Sequence, residues 1–274
     1  MNGIKGTAIT LNQRRGRVDG LHESIDMSHI DRQTLDAMLS AMHDSFPKFQ
    51  KYFLAKAKRL GKDKLAWWDI FAPVGEINKT YSWDETRTII LENFNKFSPE
   101  LSLFAKKAFD QNWIDAEQRD GKRGGAFCMG LPGVHESRVL CNFDGTFDQV
   151  CTIAHELGHA FHNESAFKSG KTALQQDTPM TLAETASIMC ETIVMEAALN
   201  QTSDLQERLS LLETRLVSDA QVIVDIYSRY LFEKEVFERR AVSELSADDL
   251  NEIMEKSQRP VSYTHLTLPT KRIV

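Results

Sequence analysis

The sequence predicts a mainly α-helical chain carrying one small antiparallel β element, and three observations lead there. Apolar residues recur at three- and four-residue steps through most of the 274 residues, which is the spacing of helices that bury one face. Two short stretches near the middle, GKRGGAFCMGLPG and ESRVLCNFDG, break that texture. They are glycine-bounded and rich in β-branched or aromatic residues, as hairpin strands are. The composition, 42% hydrophobic and 26% charged, is that of a globular domain able to bury a sizeable core, as one large domain or two small ones.

Taken in order, residues 29–60 read as one long helix or as a pair broken at Pro47, with Gly61 as the stop. Ser82 followed by Glu85 has the form of a capping box, and Pro99 opens a second helix. A strand ending near Phe143 leads through an Asp144-Gly145 turn to Thr146, with Gln149 three residues on as a further capping box. Helical spacing then continues from Phe147 to about Lys256. Trp67-Trp68, Met189 and Met195 are expected in the core, and KRLGKDK and GKR as solvated charge or turn.

The formal net charge of -6 without a clustered basic face argues against nucleic acid as a partner. No apolar run approaches the roughly 18 residues of a membrane span. The first residues lack the apolar centre of a signal peptide, so a cytoplasmic location is expected. Cys128, Cys141, Cys151 and Cys190 show no CxxC spacing and read as free, buried thiols. The last residues, VSYTHLTLPTKRIV, abandon the charged helical texture and resemble translated adapter read-through. The expected division is therefore residues 1–260 as a partial catalytic domain and 261–274 as a non-native tail.

The chemistry concentrates in CTIAHELGHAFHNE, residues 151–164. His155 and His159 are four apart on a helix and stack on one face. Two imidazoles so placed can grip one tetrahedral zinc. Glu156 lies about 100° further round, placed to reach a water rather than the ion, so HExxH supplies two ligands and a general base. His162 is seven residues from His155, about 10 Å along the axis, too far to share the ion with it. It reads as lining the approach or as an ordinary structural histidine. Gly158 inside the helix implies that something passes close by. The third ligand must come from elsewhere, and TPMTLAETASIMCE supplies it. There Thr181 with Glu184 resembles another helix start, and Glu184 completes a His₂Glu set with one open position. Glu191 and Ser187 lie on or near the same face as candidates to orient the ligands by hydrogen bonds, while Glu196 is left at the surface.

HELGHAFH followed by LAETASIMCE, with KRGGAF, NFDGTFDQVCTIAHELGH, YLFEKEVFE and NGIKG with RRGR, resembles the zinc peptidases of the thimet oligopeptidase and oligoendopeptidase F family. The likeness is nearer to the oligoendopeptidase F side and runs over residues 1 to about 258. It implies a mainly helical, zincin-type (gluzincin) catalytic domain with one zinc ion deep in a channel, and short peptides as substrates. In the mechanism expected for it, Glu156 is the base that activates the attacking water. The stretch around Gly124 to Gly130 is a candidate to pair its backbone with an extended peptide, chiefly through Gly125, Ala126 and Phe127. Family members are longer at both ends, and the residues that steady the oxyanion fall beyond this chain, so weak hydrolysis is expected of it. A non-catalytic zinc-binding fragment and a hydrolase of non-peptide substrates are the rival readings. No membrane partner is expected, and the sequence leaves the oligomeric state open.

Overall fold

The computed structural model describes residues 1–74, 79–259 and 261. They fall into two compact units, one holding the described residues up to 74 and those from 213 on, the other those from 79 to 212.

The first unit begins with α1 (Asn2–Arg14), α2 (His22–Met27) and α3 (Arg32–Arg59), and closes with α10 (Ile226–Arg240) and α11 (Ala247–Gln258). α3 starts where the Asp31 carboxylate accepts a hydrogen bond from the Thr34 N–H at 2.7 Å, as an N-cap should. It runs through Pro47 as a single helix. The aromatic stripe Phe46, Phe49 and Phe53, buried on one side, outweighs the single ladder bond that proline removes. Ser246 and Asp249 form the capping box of α11. Trp68 departs from expectation: its side chain is 59% exposed rather than in the core.

In the second unit, α4 (Trp83–Phe97) begins at the expected Ser82–Glu85 capping box, and α5 (Pro99–Asp110) has Pro99 in its first turn. A small sheet follows, of β1 (Ile114–Asp115), β2 (Phe127–Leu131) and β3 (Glu136–Leu140), in the order β1-β3-β2. β2 and β3 form the expected antiparallel hairpin, with Cys128 opposite Val139 and Gly130 opposite Ser137. The two-residue β1 adds a parallel edge to β3, too short for periodicity to reveal. Lys122, expected as solvated charge, is instead folded inward. Its side chain is 2% exposed, and its ammonium donates to the carbonyls of Asp115, Glu117 and Cys141.

The long helix α6 (Phe147–Lys168) is capped by Thr146, whose hydroxyl accepts from the Gln149 N–H at 3.4 Å. The reciprocal half of that capping box is not made, and the Gln149 side-chain oxygen is buried without a partner among the described residues. Gly145, at φ +83°, makes the preceding turn. α7 (Met180–Ala183) and α8 (Thr185–Gln201) come next, and α9 (Leu205–Ala220) leads out of the unit. Ile153, Leu157, Val150 and Val194 fill the interior between α6 and α8. α8 crosses α6 at Gly158. A Cβ there would lie 2.5 Å from the Ala186 carbonyl oxygen and 2.6 Å from the Ser187 Cα, so only glycine permits the approach. Among the described residues, no helix is long and apolar enough to cross a membrane.

Candidate metal centre

That close crossing carries the start of α8 over the polar face of α6. Glu184 does not sit inside a helix, as a Thr181 start would place it. α7 begins one residue earlier, at Met180, and Glu184 is the junction between α7 and α8. From this corner its carboxylate Oε2 lies 3.2 Å from His155 Nε2 and 3.3 Å from His159 Nε2. One candidate ligand atom from each of the three residues falls within 4.8 Å of the others. Ligands at about 2.0–2.1 Å from a tetrahedral zinc stand roughly 3.3–3.4 Å apart. The carboxylate–imidazole spacings fit that requirement, so the donor set could hold such an ion.

The surroundings fix these groups. Ser187, fully buried, donates from Oγ to Glu184 Oε2 at 2.6 Å and to the Glu184 carbonyl at 3.0 Å. Glu191, two turns along α8, places Oε2 3.2 Å from His155 Nδ1. A hydrogen bond there holds the ring with Nε2 turned towards Glu184. The backbone of Ala183 takes a hydrogen bond from His159. The two rings meet nearly edge-on, with centroids 4.8 Å apart.

Charge is crowded here. Burial pushes the Glu156 carboxyl up to about 7, with His155 opposing the rise and Glu184 adding to it. Burial would lower His155, but the hydrogen bond it donates to Glu191 and the charges of Glu156 and Glu184 raise it overall. His159 is lowered, chiefly by burial. Glu156 is 5% exposed, and its Oε2 has no hydrogen-bond partner among the described residues. Buried carboxylate oxygens ordinarily find partners. Glu156 is also among the residues lining a cavity of about 390 Å³ beside the histidines, whose walls include Ala126, Phe127, Cys128, Asn163 and Thr178.

The structure thus gathers His155, Glu156, His159 and Glu184, with Ser187 and Glu191 behind them. His162 lines the same cavity and lies 3.4 Å from the Thr178 hydroxyl. Ala126 and Phe127 line it as well. Gly125 precedes the strand, and its carbonyl accepts from Asn142 Nδ2 at 2.9 Å. Glu196 is exposed. His22, His29 and His43 belong to no metal-ligating group among the described residues. Three cysteines are buried and unpaired, while Cys128 is only half-buried because it faces the cavity. Sequence reasoning overlooked Asn163, although its place four residues after His159 puts it on the same helix face.

A mainly helical unit thus brings an HExxH face on α6 and a carboxylate from the α7–α8 junction together as three candidate metal ligands. The chain belongs to peptidase family M3, whose pattern matches residues 21–272. It is 30% identical over 226 residues to an oligoendopeptidase F homologue of Lactococcus lactis subsp. lactis, across 82% of this chain and 37% of that protein. It is 29% identical to the chromosomal oligoendopeptidase F of Lactococcus lactis subsp. cremoris, across 86% of this chain and 39% of that protein. It therefore spans well under half the length of these relatives. Among solved structures, the fold resembles one from Chlamydophila abortus that carries a provisional peptidase name, with a TM-score of 0.79 and 22% identity, over 95% of this chain and 44% of that one. It also resembles PZ peptidase A in complex with an inhibitor, with a TM-score of 0.68 and 14% identity, over 97% and 48% respectively.

Proposed function

We propose that this chain carries the metal-binding half of a zinc-dependent endopeptidase acting on short peptides in the cytoplasm. The observation that carries the reading is the convergence of Glu184 Oε2 on both histidine Nε2 atoms, beside a buried Glu156 oxygen that has no partner. His155, His159 and Glu184 would hold one zinc ion per chain. When bound, zinc supplies a Lewis acid that polarises the scissile carbonyl and makes water a better nucleophile. The Glu156 carboxylate accepts the proton of the attacking water and passes it to the departing amine nitrogen. Its carboxyl, poised at about 7 in the metal-free chain, is matched to both halves of that transfer. Glu191 keeps the His155 ring turned the right way, and Ser187 keeps Glu184 in place. β2 is an edge strand among the described residues, and Ala126 and Phe127 at its start line the cavity. An extended peptide would pair along that edge from about Gly125 to Phe127. The four unpaired thiols suit a reducing compartment.

Zinc uptake and cleavage of a quenched fluorescent oligopeptide, measured on the same preparations, test this. Glu156→Gln should keep zinc and lose about 10²–10⁴ in rate, the range of a general base. Glu184→Gln should lose zinc as well. Unchanged turnover in Glu156→Gln would overturn the assignment.

A further inference from the structure

We propose that Asn163 is a positioning residue: by wedging its amide between α6 and the hairpin, it sets how β2 stands beside the metal-binding face and so how well an extended peptide seats there. The inference rests on the peptidase reading above. Asn163 follows His159 by one helical turn and His155 by two, so all three project on one side of α6. Its Nδ2 donates to Ser137 Oγ at 3.1 Å and lies 3.8 Å from Cys128 Sγ. Ser137 is 1% exposed, so that hydroxyl has no water to exchange for the amide. Directly opposite Ser137 in the strand register stands Gly130. A Cβ added at Gly130 would lie 3.0 Å from Asn163 Nδ2 and 3.2 Å from its Cγ. One short amide therefore reaches β2 at Cys128 and β3 at Ser137, and fills the space that a side chain at Gly130, opposite Ser137, would need.

Asparagine is a poor choice for a helix interior on propensity alone. A leucine or alanine here would keep the helix but lose the donor that Ser137 requires. Glycine is a poor choice for a strand, yet at 130 it is what lets the amide lie flat against the hairpin. The two unfavourable choices explain each other. The consequence is functional because Phe127, Cys128 and Gly130 of β2 line the same cavity as His155 and His159. A displacement of about 1 Å in a substrate-positioning element can cost on the order of 10² in rate.

A double-mutant cycle on Asn163→Ala and Gly130→Ala tests the proposal, with three readouts on each of the four proteins. These are zinc affinity by competition with a chelator, affinity of the zinc-loaded chain for a labelled oligopeptide, and amide exchange at residues 127–131. Each single variant should keep zinc affinity, weaken the peptide about tenfold as loss of one buried hydrogen bond would, and speed exchange in β2. The double variant should be no worse than the weaker single. Peptide affinity unchanged in Asn163→Ala overturns the proposal, even if exchange rises, because Asn163 would then only stabilise the fold. Additive losses in exchange also overturn it. A wild-type chain that takes up no zinc would sink the peptidase reading separately, since the exchange cycle needs neither metal nor peptide.

Discussion

Lys56 and the His155 centre both bury charge, and they resolve it in opposite ways. In the unit built on α3, the Lys56 side chain is 1% exposed and its ammonium meets the Glu213 carboxylate and the Ile70 carbonyl. Glu213 also accepts from the Tyr52 hydroxyl at 2.9 Å, and burial together with that carboxylate pushes the phenol well above its ordinary range. Charge is balanced, and Glu213 Oε1 takes hydrogen bonds from both Tyr52 and Lys56. In the unit built on α6, three carboxylates (Glu156, Glu184 and Glu191) surround two imidazoles, and a buried Glu156 oxygen has no hydrogen-bond partner among the described residues. The first arrangement is complete without a ligand. The second has an excess of negative donors, which a divalent cation would balance. Buried charge alone is therefore weak evidence of a site, and what distinguishes a site is the part left unsatisfied.

The contrast can be broken most directly at the ligands. His159→Ala or Glu184→Gln should abolish zinc uptake at micromolar metal, read by metal analysis after desalting, while the far-ultraviolet circular dichroism of the chain stays helical. Wild-type protein should melt at a higher temperature with added zinc, and those variants should not. Zinc stabilisation surviving in both variants would remove the distinction between the two regions.

The opposite half is tested at Lys56. Lys56→Met leaves Glu213 buried without its cation and should lower stability by about 3–5 kcal/mol in urea unfolding, with no effect of zinc on the difference. Pairing it with Glu213→Leu should recover most of that loss, because the closed pair serves the fold alone. A smaller effect is expected at Glu191. Glu191→Gln keeps a hydrogen-bonding partner near His155 but removes its charge, and should weaken zinc about 10–100-fold.

The sequence announced the α6 face well because HExxH spacing, the Thr146 cap and the apolar flank are all local. It also anticipated a close approach at Gly158, though not that Ala186 and Ser187 were the atoms making it. Glu184 was legible as a candidate, but its place at a helix junction was not, since the α7–α8 break depends on how α8 lies across α6. Pro47 allowed either one helix or two, and inward-folded Lys122 and exposed Trp68 run against expectation, for one reason. Each is decided by neighbours distant in sequence, which override propensity and hydropathy. Asn163 was hidden differently, since its partners Ser137 and Gly130 lie on strands whose register periodicity cannot supply.

The finest test of the contrast is the pH response of Glu156 without metal. Its carboxyl titrates at about 7 in the folded chain against an ordinary 4.5, raised first by burial. The folded state thus holds that proton more tightly than the unfolded one. Stability from this group is complete below about pH 4.5 and is lost as pH rises through 7. Glu156→Gln cannot ionise and should escape the loss. In chelator-treated protein, the variant should match wild type near pH 4.5 and exceed it by about 1–2 kcal/mol at pH 8, the full shift being diminished because the cavity admits water. Zinc should shrink the gap, since a cation beside the carboxylate favours its charged form. Parallel pH curves for wild type and Glu156→Gln would mean that Glu156 is solvated in the metal-free chain, and that the α6 centre is as fully satisfied as the pair at Lys56.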